Sequence, residues 1–90
     1  MRELFIETRT AVGENGAAHR FNYSIVIGEA QMGEGLLCES YGVMVAEQGG
    51  ETEVIPNITV SAARIEGLME LLMRNTVGPS SVSEVVADWL

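Results

Sequence analysis

The sequence predicts an α+β domain: a four-stranded antiparallel meander sheet with two C-terminal helices packed on one face. Three observations carry this. The first half alternates apolar and polar residues with the period of two that a half-buried strand requires. Glycine-centred breaks divide it at Gly13-Glu14-Asn15-Gly16, across 28–35 and at Gln48-Gly49-Gly50-Glu51. From Ile58 onward the apolar period becomes that of two short amphipathic helices.

The first strand is expected over 3–12, with Leu4, Ile6, Thr8, Thr10 and Val12 on one side and Glu3, Glu7 and Arg9 on the other. Asn15-Gly16 is the strongest short hairpin signal in the chain. Placed at the turn centre, it sets Val12 against His19, Thr10 against Phe21, Thr8 against Tyr23, Ile6 against Ile25 and Leu4 against Ile27. The second strand covers 17–27, and the glycine-rich stretch 28–35 follows as a connection.

A third strand over 36–47 directs Leu37, Tyr41, Val43 and Val45 to the same core, with Cys38 roughly opposite Val26 or Ser24. With Gly49-Gly50 as the next turn centre, Val45 opposes Val54 and Val43 opposes Pro56. Proline lacks an amide donor, so the fourth strand, 52–58, belongs at an edge or ends near Pro56.

Ser61 caps a helix over 62–75, with Val60 and Ile65 in the hydrophobic-staple positions. Ile65, Leu68, Met69 and Leu72 make its buried stripe, and Leu71 and Met73 widen that stripe to an arc of roughly 200°. Gly67 lies on the solvent side at a cost of about 1 kcal/mol relative to Ala. Pro79 suits the first position of a second helix, 79–89, and Ser81-x-x-Glu84 offers an alternative start. Val82, Val85, Val86 and Trp89 repeat the apolar spacing. All six elements form a single domain, 1–90.

Composition excludes several function classes. The net charge is −8, from twelve Glu and one Asp against five Arg. Nucleic acid and anionic membrane surfaces need clustered cations, so neither is an expected partner. There is no lysine, which removes Schiff-base chemistry at a side chain. One cysteine, Cys38, excludes an internal disulfide and any multi-cysteine zinc site. The N-terminal residues lack the basic start and apolar run of a signal peptide, no apolar run approaches a membrane span, and a cytoplasmic protein is expected.

His19 and Cys38 are the only pair resembling a nucleophile and its base. The expected registers place them on opposite sheet faces and far apart along the strands. The 28–35 glycines lack the lysine and the helix of a phosphate loop, and Glu29 and Glu34 would repel an anion. A single Asp is too few for a calcium loop. No catalytic, cofactor-binding or metal-binding residue is therefore assigned, and no cofactor is expected.

The sheet face away from the helices is the remaining candidate. Phe5, Val26, Met44 and Ile55 point to it under the registers above, and an uncovered apolar strip there would be an interface. The functional expectation is a non-catalytic protein-interaction or regulatory domain, as a homodimer or with another protein partner. The alternative is a small-ligand pocket between sheet and helices, beside Tyr23, Tyr41 and Trp89.

Ser40-Tyr41-Gly42-Val43, Ile58, Ile65, Leu68, Leu72, Asn75, Val77, Pro79 and the terminal Val85-Val86-Ala87-Asp88-Trp89-Leu90 together resemble a family of small Firmicutes proteins, a domain of unknown function. The resemblance rests mainly on the C-terminal half. In that family a Thr often precedes the proline and a His-Leu follows. Here Gly78 and Ser81-Val82 stand in those places, so no role carries over from that histidine. The resemblance implies the same four-strand, two-helix domain and no activity.

Overall fold

A computed structural model of the protein describes residues 1–31 and 33–90. Met32, inside the expected 28–35 connection, lies outside the described residues. The chain forms the expected meander, with strand order β1-β2-β3-β4, followed by two helices. The elements are β1 (Arg2–Val12), β2 (Ala18–Gln31), β3 (Leu37–Glu47), β4 (Thr52–Thr59), α1 (Ala62–Arg74) and α2 (Val82–Trp89).

The first hairpin closes differently from the expected two-residue turn. Gly13 N–H donates to Ala17 C=O at 2.9 Å and Gly16 N–H to Gly13 C=O at 2.9 Å, so the loop holds Glu14, Asn15 and Gly16. Gly16 takes φ +79° while Asn15 stays at negative φ, which is a turn followed by a left-handed glycine. The Asn15 side chain accepts from Ala17 N–H at 3.0 Å and holds the turn in this form.

The extra loop residue shifts the register by one. Ala11 opposes His19, Arg9 opposes Phe21 and Glu7 opposes Tyr23, so Thr8, Thr10 and Val12 lie on the other face. A bulge between Phe5 and Glu7 then re-aims the strand, and Leu4 opposes Ile25.

β2 runs four residues beyond its expected end. Gly28, Glu29, Ala30 and Gln31 pair with Ser40, Glu39, Cys38 and Leu37, so ladder pairing overrides the weak strand preference of this stretch. Cys38 accordingly opposes Ala30, not Val26 or Ser24. The core side of β2 and β3 is unchanged, because the register moved by an even number of residues.

The third hairpin also has a three-residue loop. Glu47 N–H donates to Glu51 C=O at 2.8 Å, and Gly49 takes φ +78°. Val43 therefore opposes Ile55 and Met44 opposes Val54. Beyond Ile55 the β4 register shifts, with Asn57 at φ 55°, before Thr59 pairs with Tyr41.

The core joins Phe21, Tyr23 and Ile25 of β2, Val43 and Val45 of β3, Ile65, Leu68, Met69 and Leu72 of α1, and Val77, Val82 and Val86. Ser61 Oγ accepts from Arg64 N–H at 3.2 Å and caps α1 as expected. α2 starts at Val82, three residues later than the Pro79 start, because Ser81 N–H closes a turn onto Gly78 C=O at 3.1 Å. The Arg64 guanidinium sits 4.5 Å over the Trp89 ring and joins the start of α1 to the end of α2.

Candidate docking face

The four residues expected to form an interface do not share one open strip. Phe5, Ser24, Met44 and Val54 are cross-strand neighbours in a single row on the face away from the helices. Phe5 is 56% exposed and Met44 half-buried. Val26, the next residue along on that face, is only 3% exposed. The cause lies in β4. A Cβ at Gly42, the partner of Val26, would come within 2.1 Å of Ile55 O and 2.6 Å of Pro56 Cα. The β4 backbone thus folds across this face, and only glycine admits it. Ile55 itself opposes Val43 and packs against the helix-side core, a correction that follows from the three-residue turn.

A more open apolar surface lies on the helix side, beside β1. α1 packs over β2, β3 and β4, and the helical layer stops short of the first strand. Leu4 and Ile6 remain 51% and 37% exposed there. Ile6, Ile25, Glu66, Met69, Glu70 and Met73 line a groove of about 370 Å³ between β1 and α1. The α1 wall uses positions 66, 69, 70 and 73, the i, i+3, i+4, i+7 row of one helix side. Its middle is apolar, and its rim carries the exposed carboxylates Glu66 and Glu70. On the sheet side, Glu7 and Arg9 form an ion pair.

Sequence reasoning missed this groove because it set Thr8, Thr10 and Val12, not Glu7 and Arg9, toward the helices. A signal for it was present. The apolar arc of α1, widened by Met73, is broader than the stripe it buries.

A second concavity of about 490 Å³ lies where β1 begins, lined by Met1, Arg2, Ile27, Gly28, Glu29 and Glu39. Two of its charged side chains, Arg2 and Glu39, pair with each other, and Tyr41 Oη donates to Glu39 Oε1 at 3.3 Å. Desolvation, followed by the negative charge of Glu39, pushes the Tyr41 phenol above its ordinary value.

Of the residues expected around a ligand pocket, Tyr23, Tyr41 and Trp89, the structure places the first inside the core and the other two half-buried. Tyr23 is fully buried and its hydroxyl donates to Val77 C=O at 2.8 Å. His19 Nδ1 lies 3.0 Å from Glu47 Oε2, and its ring stacks on Phe21 at 6.4 Å between centroids. Cys38 sits opposite Ala30, roughly 36 Å along β2 from His19 at about 3.3 Å per residue, and on the other face. Among the described residues, no three His, Cys, Asp or Glu side chains gather as a metal site, and no helix is long and apolar enough to cross a membrane.

The chain belongs to the family of unknown function DUF6514, whose model matches residues 2–90. Neither the curated proteins nor the solved structures hold a match to it.

Proposed function

We propose that this DUF6514 member is a non-catalytic protein-interaction domain whose docking face is the β1 flank. One observation carries the reading: the helical layer leaves apolar side chains of β1 uncovered on the side where a further element would pack. Fully burying a Leu, Ile or Phe stabilises by about 1.5–3 kcal/mol each. Leu4 and Ile6 are 51% and 37% exposed on the groove side, so covering both would return about 1–3 kcal/mol to a complex. Single exposed hydrophobes are ordinary, but Leu4 and Ile6 adjoin the apolar groove on one face and extend it as a patch. The same proposal sets the protein in the bacterial cytoplasm, where a free thiol such as Cys38 stays reduced.

Site-specific photo-crosslinking in the host tests the reading. A photoreactive residue at position 6 or 73 is expected to give a discrete protein adduct, and one at Ser83, on the exposed side of α2, is not. An adduct of twice the chain mass identifies the partner as a second copy, which light scattering would confirm as a concentration-dependent mass. Equal labelling from position 83, or no adduct from 6 and 73, defeats the docking-face reading. A small apolar ligand in the same groove is the second reading, since about 370 Å³ falls within the ~300–1,000 Å³ typical of ligand sites.

A further inference from the structure

We propose that the occupant of the β1–α1 groove is an amphipathic helix with Lys or Arg flanking its apolar stripe, supplied by a different protein. This rests on the docking-face reading and adds the chemistry of the partner. The shape comes first. The groove is walled by a helical ridge, Glu66-Met69-Glu70-Met73, and floored by Ile6 and Ile25 of the sheet. The next place in the helical layer is thus the space beside α1, at the ~8–10 Å axis separation of packed helices. Residues 66 to 73 rise about 10 Å, so the site engages two turns and accepts an i, i+3 or i+4, i+7 set of anchors. Met73, half-buried on this side, adapts to anchors of different shape because the thioether chain has several rotatable bonds, while the buried Met69 backs it from the core.

Strand addition at the free edge of β1 is the competing mode, and β1 is built against it. The bulge at Ile6 breaks the regular edge. Arg2, Glu7 and Arg9 place charges on its helix-facing side, a common defence of edge strands. The groove has no such defence.

Charge sets the partner's sign. Glu66 and Glu70 line the rim with no cation between them in α1, and the whole chain carries −8. A second copy does not fit this rim. Its two helices bury their apolar stripes in their own core, and the exposed side of α2 presents Glu84 and Asp88. Three of the five arginines are engaged elsewhere: Arg2 with Glu39, Arg9 with Glu7 and Arg64 over Trp89.

Three synthetic peptides of roughly 15–18 residues test this with the full chain. One is a Leu-striped helix flanked by Lys, the second carries Glu in place of Lys, and the third is an alternating Val/Lys strand. Fluorescence anisotropy reads affinity, and methyl NMR of the methionines reads the place. The Lys helix is expected to bind, to move the Met69 and Met73 signals, and to weaken with added salt. Glu66→Lys with Glu70→Lys should weaken it about tenfold, because each change removes one attraction at the rim and adds one repulsion. The same double variant should prefer the Glu helix. Equal binding of Lys and Glu helices, tighter binding of the strand peptide, or no binding at all overturns the proposal. If crosslinks at positions 6 and 73 persist in that event, the partner class fails while the docking face stands; if they too are missing, the docking face fails with it.

Discussion

Replacing Tyr23 with Phe removes one oxygen and tests what fastens the helical layer to the sheet. The Tyr23 ring is fully buried and stands edge-on to Phe21, with 6.5 Å between centroids. Its hydroxyl donates at 2.8 Å to the carbonyl of Val77, in the link between α1 and α2. Phenylalanine keeps the packing and leaves that carbonyl without a donor. The lost bond is worth about 1 kcal/mol net, and an unsatisfied buried acceptor raises the cost toward ~1–3 kcal/mol, so about 2 kcal/mol is expected. Ninety residues should have a total stability of roughly 5–13 kcal/mol, and a change of this size is easily measured.

A second readout is independent of the first. Burial pushes the Tyr23 phenol from 10.0 up to about 12, partly opposed by the Arg9 charge. Between these two values the unfolded chain releases a proton that the native state keeps. The stabilisation is therefore complete below about pH 10 and is lost as pH rises toward 12. At ~1.36 kcal/mol per pH unit, the loss is roughly 2 kcal/mol over that window. Urea unfolding followed by Trp89 fluorescence, from about pH 7 to 11.5, measures both effects. Wild type should lose stability above pH 10, while Tyr23→Phe should start lower and fall less steeply. Tyr41, also raised, gives both proteins a shared background. Parallel alkaline slopes, or a cost under about 0.5 kcal/mol at neutral pH, would refute the reasoning.

Two glycines yield opposite predictions. Gly67 is helical with no atom within 4 Å of an added Cβ, so Gly67→Ala should stabilise by about 0.5–1 kcal/mol and raise Tm by roughly 3–6 °C in a thermal scan. An unchanged or lower Tm would show that the position has a role the fold does not explain. Gly42→Ala drives a methyl group into the β4 backbone, and about 3 kcal/mol or more should be lost, the upper end of overpacking costs. Hydrogen exchange should show the loss first in β4; unchanged protection there would mean that β4 does not cross Gly42.

The strand order and both helices were legible because each rests on a local signal: alternation, a Ser61 cap, and an apolar stripe at Ile65, Leu68, Met69 and Leu72. Register was not, and the error lay in the turns. Asn15-Gly16 suits a two-residue turn in isolation, but Gly13 and the Asn15 side chain favour a three-residue loop closed by a left-handed Gly16. The rule that opposed residues share a face could not expose the slip. β1 reads Leu-Phe-Ile over residues 4–6 of its first half, and either parity can be made apolar there. Ile55 moves to the helix side for the same reason, because the loop at Gly49 holds three residues, one more than a Gly49-Gly50 turn. Burial of Val26 depended on the path of β4 over Gly42, a non-local event that strand alternation does not encode.

That slip also explains why the helical layer stops where it does. With an Asn-Gly turn, Thr8, Thr10 and Val12 would have faced the helices, a neutral surface that a helix can cover at little cost. The observed loop puts Glu7, Arg9 and Ala11 there instead. Covering Glu7 and Arg9 would take an ion pair out of water, and the desolvation of such a pair commonly outweighs its attraction. α1 therefore packs over β2, β3 and β4, where the facing residues are Phe21, Tyr23, Ile25, Val43 and Val45. Past the bulge the surface turns apolar again at Leu4 and Ile6, but α1 already has its stripe committed to the core. The groove between β1 and α1 is what remains: apolar at its floor and unfilled by the chain's own helices. Its opening traces back to one left-handed glycine at position 16.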